Sequence, residues 1–108
     1  MHSSFSIMWV LVVFDLPVGT KVERRYATGF RNYLLSEGCI MKQFSVYLRV
    51  CPNRPSAESL AERIGKQVPP EGDVSIMFFT DKQFELTRNY SGKKIKKTEE
   101  KPKLLTLF

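Results

Sequence analysis

The stretch that decides the fold is residues 7–14, Ile-Met-Trp-Val-Leu-Val-Val-Phe, which Asp15 follows directly. Eight apolar residues without a break, several of them β-branched or aromatic, are typical of a central strand buried on both faces. Pro17 cannot donate a backbone hydrogen bond to a neighbouring strand and Gly19 permits a turn, so we expect the strand to end at about Asp15. A carboxylate at the end of an apolar strand is costly unless something offsets its charge, which makes Asp15 the first candidate for chemistry.

Length and composition favour one folded domain with a polyanionic partner. The chain has 108 residues, of which 43% are hydrophobic, so it can bury a core. Its formal net charge of +6 favours nucleic acid or an acidic membrane surface as a partner, although the same charge also serves solubility.

Cysteine and histidine usage excludes several classes of site. Cys39 and Cys51 have no CxxC spacing, and the chain has one histidine, His2. A disulfide framework and a zinc site are therefore disfavoured, buried reduced thiols are expected, and triad chemistry based on histidine is close to excluded. The apolar run lacks a basic leader and a cleavage site and is too short to cross a bilayer, so we expect a cytoplasmic protein without membrane contact.

The first helix is predicted over residues 20–36. Thr20 and Glu23 have the spacing of a capping box, in which each side chain accepts from the backbone amide of the other residue. Gly38 suits the left-handed residue that ends a helix. An apolar stripe at helical spacing comprises Val22, Tyr26, Phe30, Tyr33 and Leu34.

The remaining pattern is strand, strand, helix, strand. We expect strands over residues 39–43 and 45–51, a helix over 57–68 and a strand over 74–80. A turn is predicted at 81–83, with a short extended piece between 84 and 90. The resulting order is that of a split βαβ unit, so the predicted fold class is α+β, a ferredoxin-like βαββαβ sandwich.

The helices of such a sandwich cover one face of the sheet and leave the other needing cover. We expect Trp9, Tyr47, Met77 and Phe79 on that second face. A face so rich in large apolar residues could be covered by a second copy of the chain, which predicts a homodimer.

The chain divides into four predicted segments: a leader at 1–6, the ferredoxin-like domain at 7–90, a basic linker at 91–103, and an additional C-terminal edge strand at 104–108. Residues 88–103 contain seven Lys or Arg against two Glu, which is typical of a solvated, mobile segment. The last five residues, Leu-Leu-Thr-Leu-Phe, indicate a strand added to an exposed sheet edge of its own or a neighbouring subunit.

Four sequence pieces together resemble the small universal subunit of CRISPR adaptation, the second CRISPR-associated (Cas) protein family, in its type II-like version. They are Val-Phe-Asp-Leu-Pro at 13–17, the pair Arg24 and Arg25, Gln-Phe-Ser-Val-Tyr at 43–47, and Ile-Met-Phe-Phe-Thr-Asp-Lys-Gln-Phe at 76–84. The match covers essentially residues 7–108. Each piece is weak alone, and the order and spacing make the resemblance specific.

The resemblance implies a ferredoxin-like homodimer that bridges two dimers of the CRISPR integrase and holds double-stranded protospacer DNA during spacer acquisition. It also implies a magnesium-dependent endonuclease acting on RNA or DNA. Asp15 is then both the catalytic and the metal-binding residue, and it meets its counterpart in the second subunit. One carboxylate per subunit is too few for a hard cation, so the mate, waters and phosphate oxygens supply the rest.

Basic residues in two places are candidates for nucleic-acid binding. Phosphate contacts position a duplex without reading its sequence, and the chain shows no base-reading motif, as a protein accepting arbitrary spacers requires. The candidates are Arg24, Arg25 and Arg31 on the first helix and Lys93, Lys94, Lys96 and Lys97 in the linker.

Three alternatives stay open at this stage. Asp15 could simply cap the turn over residues 16–19 by accepting from backbone amides. The chain could be a free-standing metal-dependent endoribonuclease of the same fold, without an adaptor role. It could also be a non-catalytic single-stranded RNA-binding module, although its third strand lacks the glycine and paired aromatics of such modules.

Overall fold

The computed structural model describes residues 6–102. Along the chain it contains β1 (Met8–Asp15), α1 (Lys21–Ser36), β2 (Ile40–Gln43), β3 (Val46–Cys51), α2 (Arg54–Gly65), β4 (Asp73–Thr80), α3 (Asp81–Glu85), β5 (Asn89–Ser91) and β6 (Lys94–Lys96). The predicted βαββαβ order is confirmed, with α3, β5 and β6 as additions.

The four long strands form an antiparallel sheet in the order β2-β3-β1-β4, with β1 in the interior. β1 pairs with β3 from Met8↔Cys51 to Val13↔Val46 and with β4 from Met8↔Thr80 to Asp15↔Asp73. The apolar run is therefore a central strand that ends at Asp15, as predicted. The α+β class and the ferredoxin-like strand order are confirmed.

Caps at both long helices explain where these helices begin. The predicted capping box is present: Glu23 N donates to Thr20 Oγ1 over 3.1 Å, and Thr20 N donates to Glu23 Oε1 over 2.9 Å. The second helix begins earlier than predicted because Asn53 Oδ1 accepts from Ser56 N over 2.9 Å. Gly38, with φ of 85°, follows the first helix in the expected left-handed conformation.

One face of the sheet packs on the two long helices and forms the main core. Alternating strand residues supply it, including Val10, Val12 and Phe14 of β1 and Tyr47 of β3, and the helices supply Phe30, Leu34, Leu60 and Ile64. Tyr47 was expected on the opposite face. That prediction was wrong because the β1–β3 register pairs Tyr47 with Val12, and directly opposed strand residues share a face.

The helix-free face is only partly open, because α3 and residues 98–102 lie against one half of it. The Phe84 ring stacks on Trp9 with centroids 4.0 Å apart, and Ile7, Leu48 and Phe84 complete a second buried cluster. Trp9 is therefore 3% exposed rather than open to a partner, whereas Met77 of β4 is 37% exposed.

The region after β4 differs from its sequence-based description. The predicted turn at 81–83 is the start of α3, whose capping box joins Thr80 to Gln83. β5 and β6 form a hairpin that joins Asn89 to Lys96 and Ser91 to Lys94, inside the stretch expected to be solvated and mobile. The segment boundaries themselves stay predictions.

Several smaller predictions have clear outcomes. Cys39 and Cys51 are buried and reduced, as expected, and burial raises the pKa of the Cys39 thiol to about 11. No helix within residues 6–102 is long and apolar enough to cross a membrane. The predicted edge strand at 104–108 and most of the leader at 1–6 lie outside the described residues.

Candidate functional site

Asp15 is exposed on the helix-free face of the sheet. Side chains alternate along a strand, and Val12 and Phe14 point into the helix-covered core, so Val13 and Asp15 point the other way. Among residues 6–102, the Asp15 carboxylate makes no hydrogen bond or ion pair. The alternative in which it caps the turn over residues 16–19 therefore has no support, because no amide of that turn donates to it.

A second carboxylate, Asp73, lies directly opposite Asp15 in the last pair of the β1–β4 ladder. Both side chains are exposed and share the helix-free face. Like charges directly opposed on a sheet destabilise it unless something neutralises them. Sequence reasoning placed Asp73 just ahead of β4 and missed this pairing, because the pairing depends on a strand register that no local signal encodes.

Gly72 allows the chain to approach Asp15 closely. Its φ is +104°, and a Cβ added there would lie 2.8 Å from the Asp15 carbonyl oxygen and 2.7 Å from Leu16 Cδ2. Backbone at this φ strongly favours glycine. The entry into β4 is thus held against the end of β1 by a contact that any side chain would disturb.

The donor set at this end of the sheet fits a magnesium ion of the kind the resemblance implies. Mg²⁺ is commonly bound through one or two carboxylates, with waters and substrate phosphates completing its shell. Asp15 and Asp73 would offer hard carboxylate oxygens, and neither side chain has a hydrogen-bond or ion-pair partner among residues 6–102. Within the described residues no group of three or more His, Cys, Asp or Glu is placed to hold a metal, so a single chain does not form a closed all-protein cage.

Asp81, unlike Asp15, is a buried and hydrogen-bonded carboxylate. It is 9% exposed, and its two oxygens accept from Trp9 Nε1 over 2.9 Å and from Lys101 Nζ over 2.6 Å. The hydrogen bond from Lys101 to this carboxylate raises the pKa of the lysine. With both oxygens occupied, Asp81 fastens the C-terminal segment over Trp9 and has little capacity for a metal.

The predicted arginines lie on α1. This helix packs on the face of the sheet opposite the one to which Asp15 points. Arg24 and Arg25 are exposed, and Arg24 also donates to the Val18 carbonyl over 3.1 Å. Arg31, seven residues after Arg24 and so about 10 Å further along the same helix side, donates to Thr28 Oγ1 over 3.2 Å. These arginines are thus on the helix-covered side of the sheet, whereas Asp15 points to the helix-free side.

The predicted lysines lie on and beside the β5–β6 hairpin, and all four are exposed. Lys42 of β2 holds the base of this hairpin, because its Nζ donates to Asn89 Oδ1 over 2.8 Å and to Glu99 Oε1 over 2.7 Å. Lys42 precedes the turn whose Ser45 carbonyl accepts from Phe14 N over 3.0 Å. The hairpin base is therefore held against β2, which is separated from β1 by β3.

Comparisons with known proteins agree on one family. The family model described as CRISPR associated protein Cas2 matches residues 8–87. A protein of Paracidovorax avenae named CRISPR-associated endoribonuclease Cas2 is 43% identical over 108 residues, covering 100% of both chains. A protein of the same name from Flavobacterium psychrophilum is 41% identical over 98% of this chain and 92% of its own.

A solved structure shows the same fold. It is titled crystal structure of cas2, has a TM-score of 0.54 and 26% sequence identity, and covers 76% of this chain and 85% of its own. The family match spans β1 to α3, including Asp15 and the stretch that leads into Asp81. By sequence and by fold, this chain belongs to the CRISPR-associated protein Cas2 family.

Proposed function

We propose that this protein is a CRISPR-associated endoribonuclease that cleaves with a Mg²⁺ ion held at Asp15. The observation that carries the proposal is the exposed Asp15 carboxylate, which ends the central strand without any hydrogen bond or ion pair among residues 6–102 while Asp73 stands opposite. Relatives 41% and 43% identical to this chain are named endoribonucleases, which supports the activity.

The residues of this chain contribute in distinct ways. Asp15 and Asp73 provide negative charge that attracts a divalent cation to the helix-free face. Bound there, Mg²⁺ would supply concentrated positive charge that offsets the charge developing on a phosphodiester as it is cleaved. Gly72 keeps the β4 entry against the Asp15 backbone, which fixes the separation of the two carboxylates. The exposed lysines of the hairpin attract the phosphates of the substrate.

The site is completed by a second copy of the chain in this proposal. One exposed carboxylate and its strand neighbour leave most positions around a six-coordinate cation to other ligands. Val13 lies next to Asp15 on the helix-free face, and Met77, which is paired with Leu11, is partly exposed further along it. A second copy seated on this face would bring its own Asp15 close and bury these apolar side chains.

Cleavage of single-stranded RNA by purified protein, with Mg²⁺ and with chelator, tests the nuclease proposal. Asp15→Asn should lower the cleavage rate by about 100-fold, because it removes the charge that holds the cation. Glu71→Gln is the matched control, since it removes an exposed carboxylate close to Asp73 in sequence but outside the strand pair. Cleavage that persists in Asp15→Asn or in chelator would show that the activity has another source.

The adaptor function belongs to the same proposal: the dimer binds double-stranded DNA and bridges integrase dimers during spacer acquisition. The exposed arginines of α1 and lysines of the hairpin support duplex binding. We expect a dimer in solution, duplex affinity that falls steeply with salt, and co-purification with the integrase subunit. A protein that stays monomeric and purifies alone when both subunits are expressed would contradict the adaptor function.

A further inference from the structure

The β5–β6 hairpin has one face that contacts the rest of the chain and one that is largely exposed. Asn89 lies on the inner face, where it bonds Lys42 and donates through Nδ2 to Thr98 Oγ1 over 3.0 Å. Tyr90 and Ile95 are paired directly across the two strands and so share the outer face. Their exposed fractions are 59% and 82%.

Such a pair is unusual on a solvated hairpin. Two strands of three residues each cannot form a core of their own, and the sequence nonetheless places an aromatic and a β-branched residue where neither is buried. The inner face already accounts for the attachment of the hairpin. The outer pair is thus not required by the contacts that hold the hairpin in place.

The charged residues of the hairpin segment itself are all basic. Residues 88–97 contain five Lys or Arg and no Asp or Glu. Within the described part of the chain, Lys93 and Lys94 make no ion pair, and Lys97 pairs with the exposed Glu100 over 3.2 Å. An apolar pair flanked along β6 by Lys94 and Lys96 fits a partner that combines phosphates with apolar groove surface.

The hairpin is anchored through Lys42 beside the β2–β3 turn, which contacts β1 next to Asp15. Lys42 also donates to Glu99, which lines a cavity with Trp9 and Leu48 on the helix-free face. The hairpin is therefore attached on the helix-free face, the face to which Asp15 also points.

We propose that the β5–β6 hairpin is a DNA-binding arm that lies in the major groove of a duplex and contacts it through the Tyr90–Ile95 pair. The inference rests on the duplex binding proposed above and names the surface responsible for it. The major groove of B-form DNA admits a two-stranded ribbon, and apolar side chains contact thymine methyl groups there. The major groove of A-form RNA is too narrow for this, so the arm should favour DNA over RNA duplexes.

Two variants separate the contributions of shape and charge. Tyr90→Ser/Ile95→Ser should weaken binding of a mixed-sequence DNA duplex about tenfold, because two apolar side chains no longer leave water on binding. The dependence of affinity on salt should stay unchanged. Lys93→Gln/Lys94→Gln should instead reduce the slope of log K against log salt by about 2, since each lost phosphate contact contributes about 0.9.

Each variant has a matched control elsewhere on the chain. Leu35→Ser removes an apolar side chain that is 52% exposed on α1, and Lys66→Gln removes an exposed lysine after α2. Neither should change duplex affinity or its salt slope. Thermal unfolding of all variants checks that the fold is intact, and exposure of the changed side chains predicts little change there.

Fluorescence anisotropy with DNA duplex, RNA duplex and single-stranded DNA decides the inference. Weaker DNA-duplex binding by the Tyr90→Ser/Ile95→Ser variant, with normal RNA-duplex binding, supports the arm. If wild type binds DNA duplex and this variant binds it equally well, the arm is refuted and the proposed function stands. If this variant loses affinity for single-stranded DNA alone, the groove-binding role is also refuted, because Tyr90 and Ile95 would then contact unpaired bases. If wild type binds no duplex, the proposed adaptor function fails as well.

Discussion

An aspartate lies at each end of strand β1 on the helix-free face, and the two differ in burial and in hydrogen bonding. At one end, Asp81 of α3 is buried beside Trp9, with both oxygens bonded. At the other end, Asp15 is exposed and makes no side-chain bond within residues 6–102. A bonded, buried carboxylate stabilises the fold, whereas an exposed and unpartnered one remains available to a cation. The comparison therefore separates a structural aspartate from a functional one.

The same contrast extends to the surfaces around the two carboxylates. At the Asp81 end, α3 and residues 98–102 close the face over Trp9 and Leu48. At the Asp15 end, Ser75 and Asp73 of β4 share this face with Asp15, and all three side chains are exposed. One end thus completes its own packing, while the other leaves room for a second subunit and a substrate.

The largest stability effect should come from Asp81. Asp81→Ala leaves the Trp9 indole and the Lys101 ammonium without their acceptor, so we expect the free energy of unfolding to fall by about 3 kcal/mol. Asp15→Ala should change it by about 0.5 kcal/mol or less, because no contact is lost. Urea denaturation followed by circular dichroism measures both. Equal losses for the two variants would remove the distinction between them.

Gly72 tests whether the Asp15 end is fixed by close backbone contact. Gly72→Ala forces a Cβ against the Asp15 carbonyl at a positive φ, and we expect a loss of about 2 kcal/mol in the free energy of unfolding. Gly29→Ala is the control, since a Cβ there meets nothing within 4 Å. It should be neutral or stabilising, because alanine is the better helix former. A neutral Gly72→Ala would contradict the fixed geometry.

A smaller effect concerns pH at the Asp81 end. The hydrogen bond to Asp81 raises the pKa of Lys101 above its ordinary value of 10.5. The folded state therefore binds this proton more tightly than the unfolded state, so the pairing contributes full stability below pH 10.5 and loses it as pH rises further. Denaturation curves between neutral and strongly alkaline pH should fall more steeply for wild type than for Lys101→Met. Parallel curves would contradict the pairing.

The smallest effect concerns Asp73. In the absence of divalent cation, Asp73→Asn should raise the free energy of unfolding by about 0.5 kcal/mol, because it removes a like charge directly opposite Asp15. High salt should erase the difference by screening the repulsion. Thermal unfolding in chelator at low and high salt measures it. A destabilised Asp73→Asn variant would show that the two carboxylates do not repel each other.

The sequence predicted the elements whose signals are local. The apolar run before Asp15, the Thr20–Glu23 capping box and Gly38 each specify their own backbone, and the structure confirms all three. The choice of Asp15 as a candidate site residue followed from the same local pattern, because a carboxylate directly after an apolar strand is costly unless its charge is offset.

Other features could not be predicted, because they depend on contacts between residues distant in sequence or on elements too short to show a periodic pattern. α3 has five residues, less than two helical turns, so periodicity could not reveal it, although Thr80 and Gln83 have capping-box spacing. The Asp15–Asp73 and Tyr47–Val12 pairings require the register of the sheet. The bonds of Asp81 join residues 72 and 20 positions apart, which no sequence window contains.

Cation binding without nucleic acid tests the central claim most directly. Titration of Mn²⁺, a hard-ligand substitute for Mg²⁺, should show one ion for every two chains of wild type. Asp15→Asn should weaken this binding at least about tenfold, whereas Glu71→Gln should leave it unchanged. Unchanged binding by Asp15→Asn would contradict the assignment of the metal site to Asp15, and one ion per chain would contradict its sharing between two subunits.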